Sequence, residues 1–151
     1  MIDWAGALTG GVVGGLAMEL SAVLVRLLGL GRHSMVSYEG CMLTGRLSGA
    51  ASYLAGLVMH LALSVLIALA YAWGFEAFWG GAGWARGLAL AAPHWLAGGL
   101  VVPLFDRLSG CVRRGTVKPL GAFAAGSGRG FVAFLAGHLV YGATVGWWYG
   151  R

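Results

Sequence analysis

Four long apolar stretches divide the chain, and shorter segments with charged or turn-forming residues separate them. The stretches run over residues 4–30, 50–73, 84–105 and 130–149. A helix needs about 20 predominantly apolar residues to cross the hydrocarbon core of a bilayer, and each stretch is long enough. The pattern therefore predicts an all-α integral membrane protein, a four-helix bundle that forms a single transmembrane domain over residues 1–151.

Composition supports the membrane and argues against a soluble domain. Hydrophobic residues make up 59% of the chain and charged residues 10%, with a mean hydropathy of +0.80. Ordinary soluble domains carry about 25% charged residues. The net charge of +5 comes from basic residues that are spread between apolar runs, with no dense basic tract. We therefore expect the lipid bilayer as a partner and no nucleic acid.

The basic residues also predict an orientation. Eight of the ten Lys and Arg residues lie on one side of the four spans: Arg26, Arg32, Arg46, Arg107, Arg113, Arg114, Lys118 and Arg129. Since basic loops stay in the cytoplasm, both termini are expected on the outer side. Most of the tryptophans fall at that outer interface. The same orientation places Cys41 and Cys111 in a reducing compartment, so no disulfide is expected between them.

Two connecting segments have a pattern of their own. Residues 34–49, SMVSYEGCMLTGRLSG, mix apolar and polar positions and predict a short interfacial helix or a re-entrant turn. The segment FEAFWGGAG, residues 75–83, predicts an aromatic cap that lies in the outer interface between the second and third spans.

The second and fourth spans share a spacing. In each, a histidine precedes a tyrosine by eleven residues: His60 with Tyr71, and His138 with Tyr149. Small residues follow each histidine at the same steps. This pattern arises either from two repeated helical hairpins or from composition alone.

Each span carries one ionisable side chain near its centre, namely Glu19, His60, His94 and His138. Small residues lie one turn away on the same helical face in every case, and such faces pack against neighbouring helices. We therefore expect all four groups to point into the bundle, where they can find polar partners that lipid lacks.

Three interpretations of these four groups remain open. They form a buried hydrogen-bonded network that fixes helix register. Alternatively, Glu19, His60, His94 and His138 ligate a transition metal, or His60 and His138 ligate haem b. Proton or ion conduction through the same residues is the third interpretation.

The first span, residues 4–30, offers a surface for association with other membrane chains. Gly6, Gly10 and Gly14 form one small-residue face, and Gly11 with Gly15 forms another, so that one face can pack internally and the other against a partner. No catalytic constellation or nucleotide-binding motif is present in the sequence, so no catalytic residues are assigned. The predicted function is that of a non-enzymatic membrane subunit or accessory protein that packs with other subunits or with its own copies.

Several motifs resemble a group of small bacterial four-transmembrane-helix proteins of unknown function. They are GGVVGGLAMELSAVLVRLLGLG, LAGLVMHLALSVLIALAYAWG, GAGWARGLALAAPHWLAGGLVVPLF and GHLVYGATVGWWYG. The resemblance implies four spans, a bacterial inner (cytoplasmic) membrane location, and His60 and His138 as recurring features. It implies no activity.

Overall fold

Four long helices carry the apolar stretches, and short helices occupy the connections. The computed structural model describes residues 1–29, 35–125 and 128–151, and these ranges contain helices and no strand. The elements are α1 (Trp4–Leu27), α2 (Met35–Thr44), α3 (Ala50–Trp79), α4 (Trp84–Leu108), α5 (Gly110–Arg113), a 3₁₀ turn (Ala122–Ala124) and α6 (Gly128–Tyr149).

The long helices confirm the predicted all-α class. Helices α1, α3, α4 and α6 are long and apolar enough to cross a membrane, which supports a multi-pass membrane protein. Their bounds differ from the predicted spans by a few residues at several ends. The predicted end of the first span, Leu30, lies outside the described residues, as does Arg32 in the connection that follows.

The predicted aromatic cap is wrong. Residues Phe75–Trp79 continue α3, and only Gly80–Gly83 connect α3 to α4. Gly80 ends the helix in the left-handed conformation, at φ 62°, and its N–H reaches the carbonyl of Glu76. Nothing before Gly80 breaks a helix, so the aromatic residues extend the span.

Helix α1 lies between α3 and α6, and α6 also packs on α4, whereas α3 and α4 touch each other little. Glycines set these distances. A β-carbon on Gly11 would lie 2.7 Å from Cα of Val65 in α3, and one on Gly14 would lie 2.6 Å from Cγ2 of Val145 in α6. Both glycine faces of α1 are therefore used inside the bundle. The expectation that one of them faces a partner is wrong.

Helices α4 and α6 meet backbone to backbone. A β-carbon on Gly87 would overlap the carbonyl of Gly142, and one on Gly142 would lie 2.8 Å from Cβ of Ala91. Gly146 packs against Gly83 and Gly87 in the same way. Small residues permit this approach, which in lipid supplies the van der Waals contact that holds helices together.

The short helix predicted within residues 34–49 is present as α2, and it is packed into the protein. Gly40 lies against the carbonyl of Ser52, and Gly56 lies against the carbonyl of Val36. Val36, Tyr38 and Cys41 are buried. Helix α2 therefore folds back onto the first turns of α3, because glycines on both helices remove the side chains that would separate them.

The close contact between α4 and α6 predicts a difference between two identical substitutions in α6. Gly142→Ala should lower the free energy of unfolding by about 1–3 kcal/mol, because the added methyl must displace α4. Gly128→Ala should be neutral or slightly stabilising, since among the described residues no atom from outside its own helix turn and chain neighbours would lie within 4 Å of the added β-carbon. Reversible unfolding in mixed micelles measures both. Equal effects of the two substitutions would contradict the observed packing.

Candidate functional site

The four ionisable groups predicted at mid-depth separate into two groups in the structure. Glu19 and His60 are buried between α1, α2 and α3, whereas His94 and His138 face each other across α4 and α6. His94 is only partly buried. Among the described residues no group of three or more His, Cys, Asp or Glu side chains could hold a metal ion. The structure therefore does not assemble the predicted set of four ligands around one centre.

His94 and His138 form a cluster with two tyrosines, Tyr71 and Tyr141, which we term the histidine–tyrosine cluster. The His94 and His138 ring centroids are 4.5 Å apart. The Tyr71 hydroxyl lies 3.3 Å from Nδ1 of His94, and the Tyr141 ring centroid lies 5.2 Å from that of His94. Three helices, α3, α4 and α6, thus contribute to one packed group of polar rings.

The imidazole of His138 is oriented by its own helix. Its Nδ1 donates a hydrogen bond of 2.7 Å to the carbonyl of Phe134, because a carbonyl can only accept. Its Nε2 points at α4, where a β-carbon on Gly98 would lie 3.0 Å away. The absence of a side chain at Gly98 therefore makes room for the histidine. The Nδ1–H donor of the buried ring is satisfied by a carbonyl of its own helix, α6.

The residues around His138 do not fit haem b. A haem iron would have to lie on the Nε2 side of the ring, which the backbone of Gly98 closes. The flanks of the ring are also filled, by Phe134 at 4.3 Å and by His94 at 4.5 Å between centroids. His60 lies instead beside Glu39 of α2. The pairing of His60 with His138 around a macrocycle therefore has no space among the described helices.

Glu39 is a buried group that the sequence did not single out. Its Oε2 lies 3.5 Å from Nδ1 of His60, and both side chains are buried. The Glu19 carboxylate of α1 also lies within electrostatic range of His60. Burial raises the pKa of Glu39, and the neighbouring His60 partly opposes that rise. The sequence signal was weak, namely a glutamate beside Gly40 in a segment that predicted an interfacial helix.

Asp106 is the second buried group that the sequence pattern did not indicate; it lies in the last turn of α4, beside Arg107. Its carboxylate accepts hydrogen bonds from the Tyr38 hydroxyl at 2.5 Å and from the N–H groups of Leu120 and Gly121 at 2.9 and 2.8 Å. Burial and the nearby carboxylate raise the pKa of Tyr38. Asp106 thus joins α2, the end of α4 and the segment that leads to α6.

The two cysteines are bonded, contrary to the expectation from the sequence. Cys41 of α2 and Cys111 of α5 form a disulfide, with their Cα atoms 6.0 Å apart. Both are fully buried and pack with Tyr38 and Val117. The expectation rested on the compartment alone. The fold brings the two residues into bonding distance because α2 turns back onto α3 while α5 follows α4 directly.

Comparisons with protein families, with curated proteins and with solved structures find no match to this chain. The buried groups themselves indicate what they can do. Each of the polar residues described above lies in helix–helix contact or is bonded to a neighbouring helix or loop, which suits a role in fixing helix positions.

Metal removal distinguishes a structural histidine–tyrosine cluster from a metal site. We expect a strong chelator to leave the thermal unfolding midpoint unchanged. His138→Ala should lower the free energy of unfolding by about 2–4 kcal/mol, because it leaves a cavity and removes ring contacts. The structural role would be contradicted if the chelator lowered the unfolding midpoint and added zinc or copper restored it. For a metal at this cluster, His138→Ala and His94→Ala should abolish the effect of the chelator, whereas His60→Ala should retain it.

Proposed function

We propose that the chain is a non-enzymatic, multi-pass subunit or accessory protein of the bacterial cytoplasmic membrane that packs against other membrane chains. The observation that carries the proposal is an outward face of α4 made of small residues, which no described part of the chain covers. In this proposal, the contacts of the buried Glu, His and Tyr side chains fix the positions of the helices, including α4, which carries this face.

The small-residue face consists of Ala85, Ala89, Pro93 and Ala97, which follow at steps of four and are all exposed. We term it the α4 alanine face. Residues four apart lie on one side of a helix, so these positions form a continuous shallow strip. In a membrane, small residues favour contact with another helix, whose backbone they allow to come close.

Another outward face of the protein differs in character. Helix α1 exposes bulky side chains at the same spacing: Leu8, Val12, Leu16, Leu20 and Leu24. Leucine-rich surfaces suit the fluid acyl chains of a bilayer. The contrast between a bulky α1 face and a small α4 face supports lipid at α1 and a protein partner at α4.

The test of the partner surface uses matched substitutions on two helices. The double variant Ala89→Leu with Ala97→Leu fills the α4 alanine face. Ala62→Leu with Ala70→Leu makes the same change at exposed positions of α3. We expect chemical cross-linking in native membranes to capture a partner or a second copy in the wild type and the α3 variant, and severalfold less in the α4 variant. A wild type that remains a solitary monomer under mild solubilisation would contradict the proposal.

The proposed orientation keeps both termini outside and the basic connections in the cytoplasm. It places the Cys41–Cys111 bond on the side of the reducing compartment, where disulfides are rare and often serve redox sensing.

Thiol labelling in intact cells tests this orientation. With cytoplasmic connections, we expect a membrane-impermeant maleimide to leave both cysteines unlabelled even after an impermeant reductant. Labelling after that treatment would reverse the orientation.

A transition-metal protein is the second candidate function, and one observation favours it. In both His94 and His138 it is Nδ1 that contacts a neighbouring oxygen, at Tyr71 and Phe134. Metal-binding histidines are commonly oriented in this way, but the Nε2 side of His138 faces Gly98, so an ion at that nitrogen would require α4 to move away. Two imidazoles are fewer ligands than zinc sites use, so this function ranks second. The chelator experiment above decides it.

A further inference from the structure

An open groove lies where α4 leaves its apolar stretch. It has a volume of about 480 Å³ and is lined by Pro103, Asp106, Arg107, Val112, Arg113 and Pro119. We term it the α4 groove. Its walls combine two guanidinium groups with the apolar surfaces of two prolines and a valine, which is a mixture that suits an amphiphilic ligand with a charged end.

The two arginines of the groove lining form no ion pair with the part of the chain that the structure describes. Within the described ranges, the guanidinium groups of Arg107 and Arg113 take part in no hydrogen bond or ion pair, and both residues are exposed. The one carboxylate in the lining, Asp106, is committed to Tyr38 and to two backbone N–H groups. Two arginines thus remain available for a ligand with negative charge.

The position of the groove relative to the membrane follows from the length of α4. The helix has 25 residues, which corresponds to roughly 37 Å at 1.5 Å per residue. The hydrocarbon core of a bilayer is about 30 Å thick. Arg107, in the last turn of α4, therefore lies at the level of the lipid headgroups when α4 spans the membrane.

An apolar strip leads from the groove toward the membrane centre. Leu100, Leu104 and Leu108 are 63%, 51% and 57% exposed and follow one another at steps of four along α4. Residues at this spacing lie on one face of the helix, and Leu104 lies three residues before Arg107, so the strip adjoins the α4 side of the groove. A molecule with its charged end at Arg107 could lay its acyl chain along these leucines.

We propose that the α4 groove binds a phosphate group, with Arg107 and Arg113 as its ligands, and that an anionic phospholipid supplies it. Guanidinium groups bind phosphate oxygens through paired, charge-assisted hydrogen bonds. Basic pockets at the membrane surface recognise anionic headgroups in the same way. A soluble phosphate compound would share the headgroup chemistry, but it would leave the leucine strip unused. The proposal does not depend on any protein partner.

The test is lipid binding to the intact purified chain, measured by native mass spectrometry. Phosphatidylglycerol is the anionic probe, phosphatidylcholine the zwitterionic control and inorganic phosphate the soluble probe. The variants are Arg107→Gln, Arg113→Gln and their combination. Arg46→Gln is the matched control, since it removes one exposed charge on the same side of the protein, beyond the groove lining.

We expect the wild type and Arg46→Gln to retain phosphatidylglycerol in preference to phosphatidylcholine. Each groove substitution should weaken that binding about fivefold, in line with the contribution of one basic side chain near an anionic surface. Thermal unfolding of each variant checks that the fold is intact. Displacement of the lipid by millimolar inorganic phosphate would support the phosphate site but assign it to a soluble ligand. Equal loss in Arg46→Gln, or no preference for the anionic lipid, would overturn the proposal.

Discussion

The close approach of helix backbones at glycines is the constraint on which the other features of this protein depend. Gly11 and Gly15 admit α3, Gly14 admits α6, and Gly142 meets Gly87 of α4. In lipid there is no hydrophobic force between helices, so association relies on van der Waals contact and interhelical hydrogen bonds. A single methyl group at one of these points must move a whole helix, which makes the arrangement sensitive to small changes in volume.

The same close packing makes the buried polar groups tolerable. Helices at this distance bring donors and acceptors within reach, so the Tyr141 hydroxyl of α6 donates to the carbonyl of Ser64 in α3 at 2.5 Å. Likewise, the missing side chain at Gly98 gives the His138 ring its place. An imidazole facing hydrocarbon would lack both kinds of neighbour. The polar interior therefore follows from the glycines, and it in turn fixes the helix register.

The sequence predicts the parts of this structure that depend on local pattern. Hydrophobic length was enough to find the four long helices, and the small residues beside His60 and His138 correctly indicated that these side chains are buried. The local pattern did not predict contacts between segments that are distant in the sequence. Glu39 meets His60 because α2 folds back onto α3, and the Tyr38–Asp106 and Cys41–Cys111 contacts form because the same fold brings α2 beside the end of α4. The pattern of residues 34–49 predicted a short helix or a turn there, but it did not indicate which segments that helix would meet. For the same reason the sequence could not show that both glycine faces of α1 are internal.

The inward polar face of α6 is tested most directly by the accessibility of this helix to lipid, measured with nitroxide labels at single cysteines in a background that lacks Cys41 and Cys111. Oxygen collision rates report exposure to the bilayer at each position. We expect high rates at Val132, Leu139 and Trp147, which are 64%, 38% and 46% exposed, and low rates at the buried positions Tyr141 and Val145. Collision rates that alternate with the helical period, high at the three exposed positions and low at the two buried ones, would support the inward polar face. High rates at Tyr141 and Val145, with low rates at Leu139, would contradict it.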